Sequence, residues 1–220
     1  MESHTKKHAA EIKNRFTAAY PQDPAPALAF HSPYECVCAV SLSAQTTDAN
    51  VNKVTPVLFA RYPDVYALAQ AQQEELEQVI HSLGFYHNKA RNLIGMAQKV
   101  VVEYEGEIPR TMAQLTTLPG VARKTANIVL SESFGIVEGI AVDTHVFRIA
   151  HRLGLSDAKT PEQTERDLCA AFPREHWHRV NFEMITLGRT LCIARRPQCA
   201  QCFLSDICPH NRESASGSAV

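Results

Sequence analysis

Long apolar runs are missing from this chain of 220 residues. None reaches the about 18 residues that a membrane-spanning helix needs, so no membrane role is expected. The first ten residues, MESHTKKHAA, lack the apolar core of a secretory signal, which points to the cytoplasm. Strict apolar/polar alternation is almost absent, and this argues against half-buried strands. An excess of either charge is missing too: 22 Lys and Arg stand against 23 Asp and Glu, a net charge of −1. Indiscriminate binding to polyanions through bulk charge is thereby excluded. What is left, 45% hydrophobic and 20% charged residues, is an ordinary globular composition. The length suffices for one sizeable core or two modest domains.

Acidic residues are absent locally as well. Residues 108–131 contain none, but do contain Arg110, Arg123 and Lys124; residues 184–205 contain none, but do contain Arg189, Arg195 and Arg196. The acids gather elsewhere, as at Glu74, Glu75 and Glu77. Two basic windows on a neutral protein suit a local anionic partner. Solvated basic faces fit the same pattern, and charge alone does not separate the two.

Helix starts, by contrast, are plentiful. Ser32-Pro33-Tyr34-Glu35 is a capping box with proline at the first helical position. Thr160-Pro161-Glu162-Gln163 repeats it, and Thr111 with Gln114 is a third instance. Gly84, Gly106, Gly135 and Gly154 each follow a helical pattern, where a left-handed closing residue is expected. The spacing predicts helices near 5–20, 33–43, 48–61, 73–83, 87–104, 111–117, 123–134, 144–153, 161–171 and 175–190, with Pro56 an obstacle in the third. The protein is read as all-α. Two glycines in GIVEGIA, residues 135–141, mark a domain boundary, and the small polar tail RESASGSAV, 212–220, is expected to be disordered.

One stretch resists a purely structural reading. In LPGVARKTANIVL, residues 118–130, Pro119-Gly120 marks a turn and a helix begins near Arg123. That helix end carries partial positive charge, which disfavours Lys124. Lys124 lies three residues after Val121 and four before Ile128, so it is expected on their face and partly desolvated. Burial, Arg123 and the helix end would all push it towards a neutral, nucleophilic amine.

Seven cysteines form two groups. Cys36, Cys38 and Cys169 lie in helical patterns and read as small core hydrophobes. Cys192, Cys199, Cys202 and Cys208 form a C-x6-C-x2-C-x5-C run. Four thiols this close in a reducing compartment are poor disulfide candidates and read as metal ligands. Structural zinc generally uses two short-spaced pairs, whereas only Cys199 and Cys202 are close here. The run suits an iron–sulfur cubane better, with zinc the rival.

Taken in order, LSAQTTDANVNK (42–53), LGFYHNKA (83–90), LPGVARKTAN (118–127), AVDTHVFR (141–148) and the four-cysteine loop resemble the endonuclease III family. That resemblance runs from about residue 30 to Pro209. It implies a helix-hairpin-helix DNA glycosylase fold: a six-helix barrel domain at 27–137 with the hairpin motif near 111–134, and an iron–sulfur domain built from 1–26 and 138–211, flanking a DNA-binding cleft. It implies a base excision repair enzyme that removes oxidised pyrimidines from duplex DNA and cleaves abasic sites. Such an enzyme would be a nucleoid-associated monomer in the cytoplasm. Lys124 matches the catalytic lysine and Asp143 the catalytic aspartate. Cys192, Cys199, Cys202 and Cys208 match the ligands of a [4Fe-4S] cluster.

The same resemblance implies DNA contacts. Gly120, Val121, Ala122 and Arg123 would offer backbone N–H groups and charge to a phosphate. Gln45 matches the residue that fills the gap left by an extruded base, and Phe85 stands where the family often has a leucine wedge. A packed contact closing a Schellman turn is the other reading of Phe85. His145 could reach the site or a phosphate, or simply belong to the cap turn that Asp143 opens. Arg195 and Arg196 would project from the cluster loop to the DNA backbone, or offset thiolate charge. Ala122 replaces the family's second glycine and Thr116 its usual acid, so lesion preference is open. The adenine-specific mismatch glycosylases are the nearest alternative, but they usually lack the lysine. A non-catalytic redox-sensing DNA-binding module is another.

Overall fold

The computed structural model describes residues 2–22 and 27–216, apart from the side chains of 2–4 and 213–216. Contacts divide the chain into two units, residues 25–138 and residues 1–24 with 139–220. Among the described residues there are helices and no strands. None of those helices is long and apolar enough to cross a membrane.

The first unit holds α2 (Pro33–Leu42), α3 (Asp48–Arg61), α4 (Val65–Ala69), α5 (Gln73–Ile80), α6 (Tyr86–Tyr104), α7 (Met112–Leu115) and α8 (Arg123–Phe134). Side-chain caps start most of them. Ser32 Oγ accepts from Glu35 N at 3.2 Å, while the Glu35 carboxylate reaches back to His31 N at 2.6 Å. The expected box is thus made, with its return bond one residue earlier. Pro56 sits inside α3 without ending it, although it deprives the Asn52 carbonyl of its helical donor. The Asn52 side chain bonds Ala29 N and Ala27 O, each at 2.9 Å, tying the preceding loop to α3.

Helix α4 escapes the sequence reading, because five residues are too few to show a period. Its signal is Asp64, whose carboxylate accepts from Ala67 N at 2.8 Å. α6 packs on α4 and α5, and α2 lies along α8. Leu58, Leu68, Leu76, Leu93, Met96 and Leu130 fill the core between them. Cys36 and Cys38 are buried in it as the small hydrophobes expected, and burial pushes the Cys36 thiol up to about 11.

The second unit holds α1 (Glu2–Ala19), α9 (Thr144–Arg152), α10 (Pro161–Ala171), α11 (Trp177–Thr190) and α12 (Pro209–Ser216). Ile12 and Phe16 of α1 enter its core beside Ile149, Leu168, Met184 and Leu204. Buried Glu183 binds His176 Nε2 at 2.8 Å and Arg179 Nε at 3.2 Å. Arg179 in turn donates to the carbonyls of Tyr20 and Gln22, fastening the end of α1 to α11. Cys169 is only half-buried, packed at the core's edge. Helix α12 covers residues 212–216 of the tail expected to be disordered. The Asn211 amide on the Ser205 carbonyl (3.0 Å) and Arg212 on that of Asp206 (2.6 Å) anchor its first turn. Residues 217–220 of that tail lie outside the described residues.

Candidate functional site

In the first unit, the hairpin joins α7 to α8. Thr111 caps α7 by accepting from Gln114 N at 3.3 Å. Val121 N closes the turn on Leu118 O at 3.1 Å, and both side chains are buried. Two apolar pegs therefore hold the hairpin while Gly120 stays exposed at its tip. Gly120 has φ +77, and a Cβ there would meet Asn92 Cβ at 3.0 Å. Only glycine suits that position. Ala122 has φ −80 and ψ 169, an extended conformation open to any residue, so alanine in place of the family's glycine costs no backbone strain. Ala122 also provides no side-chain cap to α8. A helix start without a side-chain cap suits a solvent or phosphate oxygen.

Lys124 stands in the first turn of α8 and is exposed. The expected partial desolvation is not found, for a geometric reason. The buried face of α8 runs through Ala126, Asn127, Val129 and Leu130. Val121 is buried by the hairpin ahead of the helix and does not define a helix face. Thr116 is exposed, its hydroxyl turned onto Met112 O at 2.9 Å.

Gln45 and Phe85 share an unusual backbone. Among the described residues four non-glycines have positive φ: Gln45 (54), Phe85 (59), Glu105 (54) and Arg196 (57). Three of these four are residues that the sequence singles out for DNA contact. Left-handed non-glycines cost about 1–3 kcal/mol each and concentrate where function holds them. Phe85 is 65% exposed, so it closes no turn by packing. Beside these loops, Lys89 of α6 is 8% exposed and donates from Nζ to Thr46 Oγ1 at 2.7 Å. Burial pushes the Lys89 amine below the usual lysine range.

In the second unit, Asp143 caps α9. Its Oδ1 accepts from His145 N and Val146 N, each at 2.8 Å. Its Oδ2 has no hydrogen-bond partner among the described residues, so one oxygen orients the carboxylate and the other stays available. The His145 ring is half-buried, with Nδ1 3.2 Å from Arg148 Nη2. Gly188 makes room for both, since a Cβ there would lie 2.8 Å from His145 Nδ1.

The opposite end of α9 grips the cysteine loop. Arg148 Nη2 donates to the carbonyls of Gly188 (3.1 Å) and Cys192 (3.2 Å). Arg152 reaches the carbonyls of Cys192 (3.3 Å), Ile193 (2.8 Å) and Ala194 (2.9 Å), and Cys192 Sγ at 3.3 Å. Sequence reasoning missed both arginines. Their i, i+4 spacing after Asp143 was the signal, since it places them on one face of the helix.

Cys192, Cys199, Cys202 and Cys208 line one cavity, with Leu187, Leu191 and Leu204 in its wall. Burial first, and neighbouring thiols after it, push the Cys202 and Cys208 thiols up. The four sulfurs share this cavity, and Arg152 adds a cation at its edge. The donor set therefore fits an iron–sulfur cluster. Among the described residues no three His, Cys, Asp or Glu side chains close on a single ion. Arg195 and Arg196 stand exposed on the loop between Cys192 and Cys199, with no acidic partner among the described residues.

Comparison with known proteins gives two domain matches. Residues 38–174 match the HhH-GPD superfamily base excision DNA repair proteins, and residues 192–208 match the iron-sulfur binding domain of endonuclease III. The chain is 47% identical over 209 residues to endonuclease III of Synechocystis sp., covering 95% of each. It is 38% identical over 203 residues to that of Escherichia coli (strain K12), covering 92% of this chain and 95% of the relative. A solved structure described as a trapped endonuclease III–DNA covalent intermediate, in an estranged-adenine complex, superposes with TM-score 0.89. It shares 40% identity, with 96% of this chain and 98% of that chain covered. A thermostable thymine-DNA glycosylase, TM-score 0.83 at 21% identity, shares the fold.

Proposed function

We propose a chemistry for a chain that belongs to the endonuclease III family of HhH-GPD base excision DNA repair proteins: Lys124 is its nucleophile and Asp143 the carboxylate that assists it. The protein is a DNA glycosylase and abasic-site lyase with a [4Fe-4S] cluster. The observation that carries the residue assignment is Asp143 itself. Its Oδ1 is tied down by two backbone N–H groups, while its Oδ2 has no hydrogen-bond partner among the described residues.

In this reading a duplex lies against the hairpin, whose N–H groups hold a phosphate without reading sequence. The damaged nucleotide leaves the stack, which costs a few kcal/mol. Phe85 wedges the opened step, and Gln45 fills the vacated place. The Lys124 amine, in its neutral form, attacks C1′. The C1′–N glycosidic bond breaks, and the base departs with the bonding electron pair and is protonated. The Asp143 carboxylate takes the proton that the attacking amine loses and offsets positive charge developing on the sugar. Opening of the sugar ring leaves an imine between Nζ and C1′. The imine acidifies the C2′ proton, whose removal expels the 3′ phosphate oxygen and cuts the strand on that side. Water then releases Lys124.

Cys192, Cys199, Cys202 and Cys208 hold the cluster, which supplies rigidity to the loop and not a redox step in the reaction. Arg195 and Arg196, displayed by that loop, contact phosphates. Oxidised pyrimidines are the substrate class, and the protein works as a monomer on the nucleoid. The test is a set of duplexes carrying single oxidised pyrimidines, an abasic site, or adenine opposite 8-oxoguanine. Release of the oxidised pyrimidines with strand cutting is expected. Release of adenine alone, without cutting, would contradict this function.

A further inference from the structure

Lys89 is nearly buried, yet the only hydrogen-bond partner of its side-chain amine among the described residues is a neutral hydroxyl, Thr46 Oγ1, at 2.7 Å. Burying an ammonium group without a carboxylate is costly, and a methionine would fill the same space without that cost. Something other than packing therefore accounts for the amine. Thr46 directly follows Gln45, and its own hydroxyl points to Ala44 O at 3.4 Å. Thr46 N closes a turn on Ser43 O at 3.1 Å. The left-handed Gln45 is thus bracketed by Ala44 and Thr46, and Lys89 holds the Thr46 hydroxyl that joins them.

Lys89 also lies one helical turn after Phe85, donating its backbone N–H to Phe85 O at 3.1 Å. From the side chain of Lys89 to Thr46, and from its backbone to Phe85, one residue joins the loop that would fill the gap to the loop that would wedge it. Asn92, one turn further along α6, packs on Gly120 of the hairpin. The same helix therefore supports all three DNA-facing segments of this unit.

We propose that Lys89 is a positioning residue for base extrusion: its ammonium, through Thr46, holds Gln45 in the left-handed conformation and in register with Phe85. This rests on the glycosylase reading above. Lys89 acts through the two loops and touches no reacting atom. Without the Nζ–Oγ1 bond, Gln45 relaxes towards ordinary backbone, and the gap is filled late or not at all.

Lys89→Met, Lys89→Arg, Thr46→Val and the double variant Lys89→Met/Thr46→Val, all made in the full holoprotein, test this. The probe is a duplex with one oxidised pyrimidine and 2-aminopurine beside it, which brightens as stacking is lost. Lys89→Met and Thr46→Val should each slow both the fluorescence rise and base release at saturating enzyme by roughly tenfold. Affinity for undamaged duplex should be unchanged. Lys89→Arg, which restores a donor, should recover most of the rate, and the double variant should be no slower than either single one. Should Lys89→Met fail to fold, Thr46→Val alone carries the test, since it sits in a half-buried loop. Wild-type extrusion and release rates in Thr46→Val, or additive losses in the double variant, would overturn the inference. Absence of base release by the wild-type protein would overturn the glycosylase reading and this inference with it.

Discussion

The Arg152 guanidinium lies 3.3 Å from Cys192 Sγ and holds three successive loop carbonyls, Cys192, Ile193 and Ala194. Hydrogen bonds from a charged donor contribute about 1.5–3 kcal/mol each, so this residue dominates the start of the cysteine loop. The purified protein should hold about four irons per chain. Arg152→Gln should lower both the iron content and the thermal midpoint. Full iron loading with an unchanged midpoint would mean that the arginine merely lies along the loop.

Asp143→Asn separates the two duties of the cap. Asparagine caps a helix about as well as aspartate, so folding and DNA binding should be preserved. Base release should nevertheless slow by roughly a hundredfold, a usual size for losing a positioned acid–base group. Single-turnover kinetics beside a melting curve checks both. A large loss of stability would instead assign Asp143 to structure.

Arg195 and Arg196 are exposed and have no evident part in reading a base. Replacing both with alanine should weaken binding to damaged and undamaged duplex by similar factors. It should also flatten the dependence of log affinity on log salt by about two phosphate contacts. Titrations at several salt concentrations decide this. A loss confined to one lesion would make them specificity residues.

Much of this was legible because caps and turns are local. Ser32, Thr111 and Thr160 announce their helices through side chains that bond within three or four residues, and the hairpin declares itself by Pro119-Gly120. What escaped depends on partners far along the chain. Arg152 meets a loop about forty residues later, and Lys89 meets Thr46 forty-three residues earlier. The exposure of Lys124 was misjudged because Val121 is buried by the hairpin and not by the helix. Ala122, where the family has a glycine, is extended at φ −80 and carries no backbone strain, which residue type alone does not reveal. The positive φ values of Gln45 and Phe85 could not be read from residue types that rarely adopt them.

The most direct measurement is borohydride trapping on an abasic or oxidised-pyrimidine duplex. Reduction of the imine should fix the wild-type protein to DNA through Lys124, and peptide mapping should find the adduct at that residue. Lys124→Gln keeps a similar side-chain length and removes only the amine. It should abolish both trapping and strand cleavage while leaving DNA affinity largely intact. A covalent complex formed by Lys124→Gln would place the nucleophile on another amine and contradict the account.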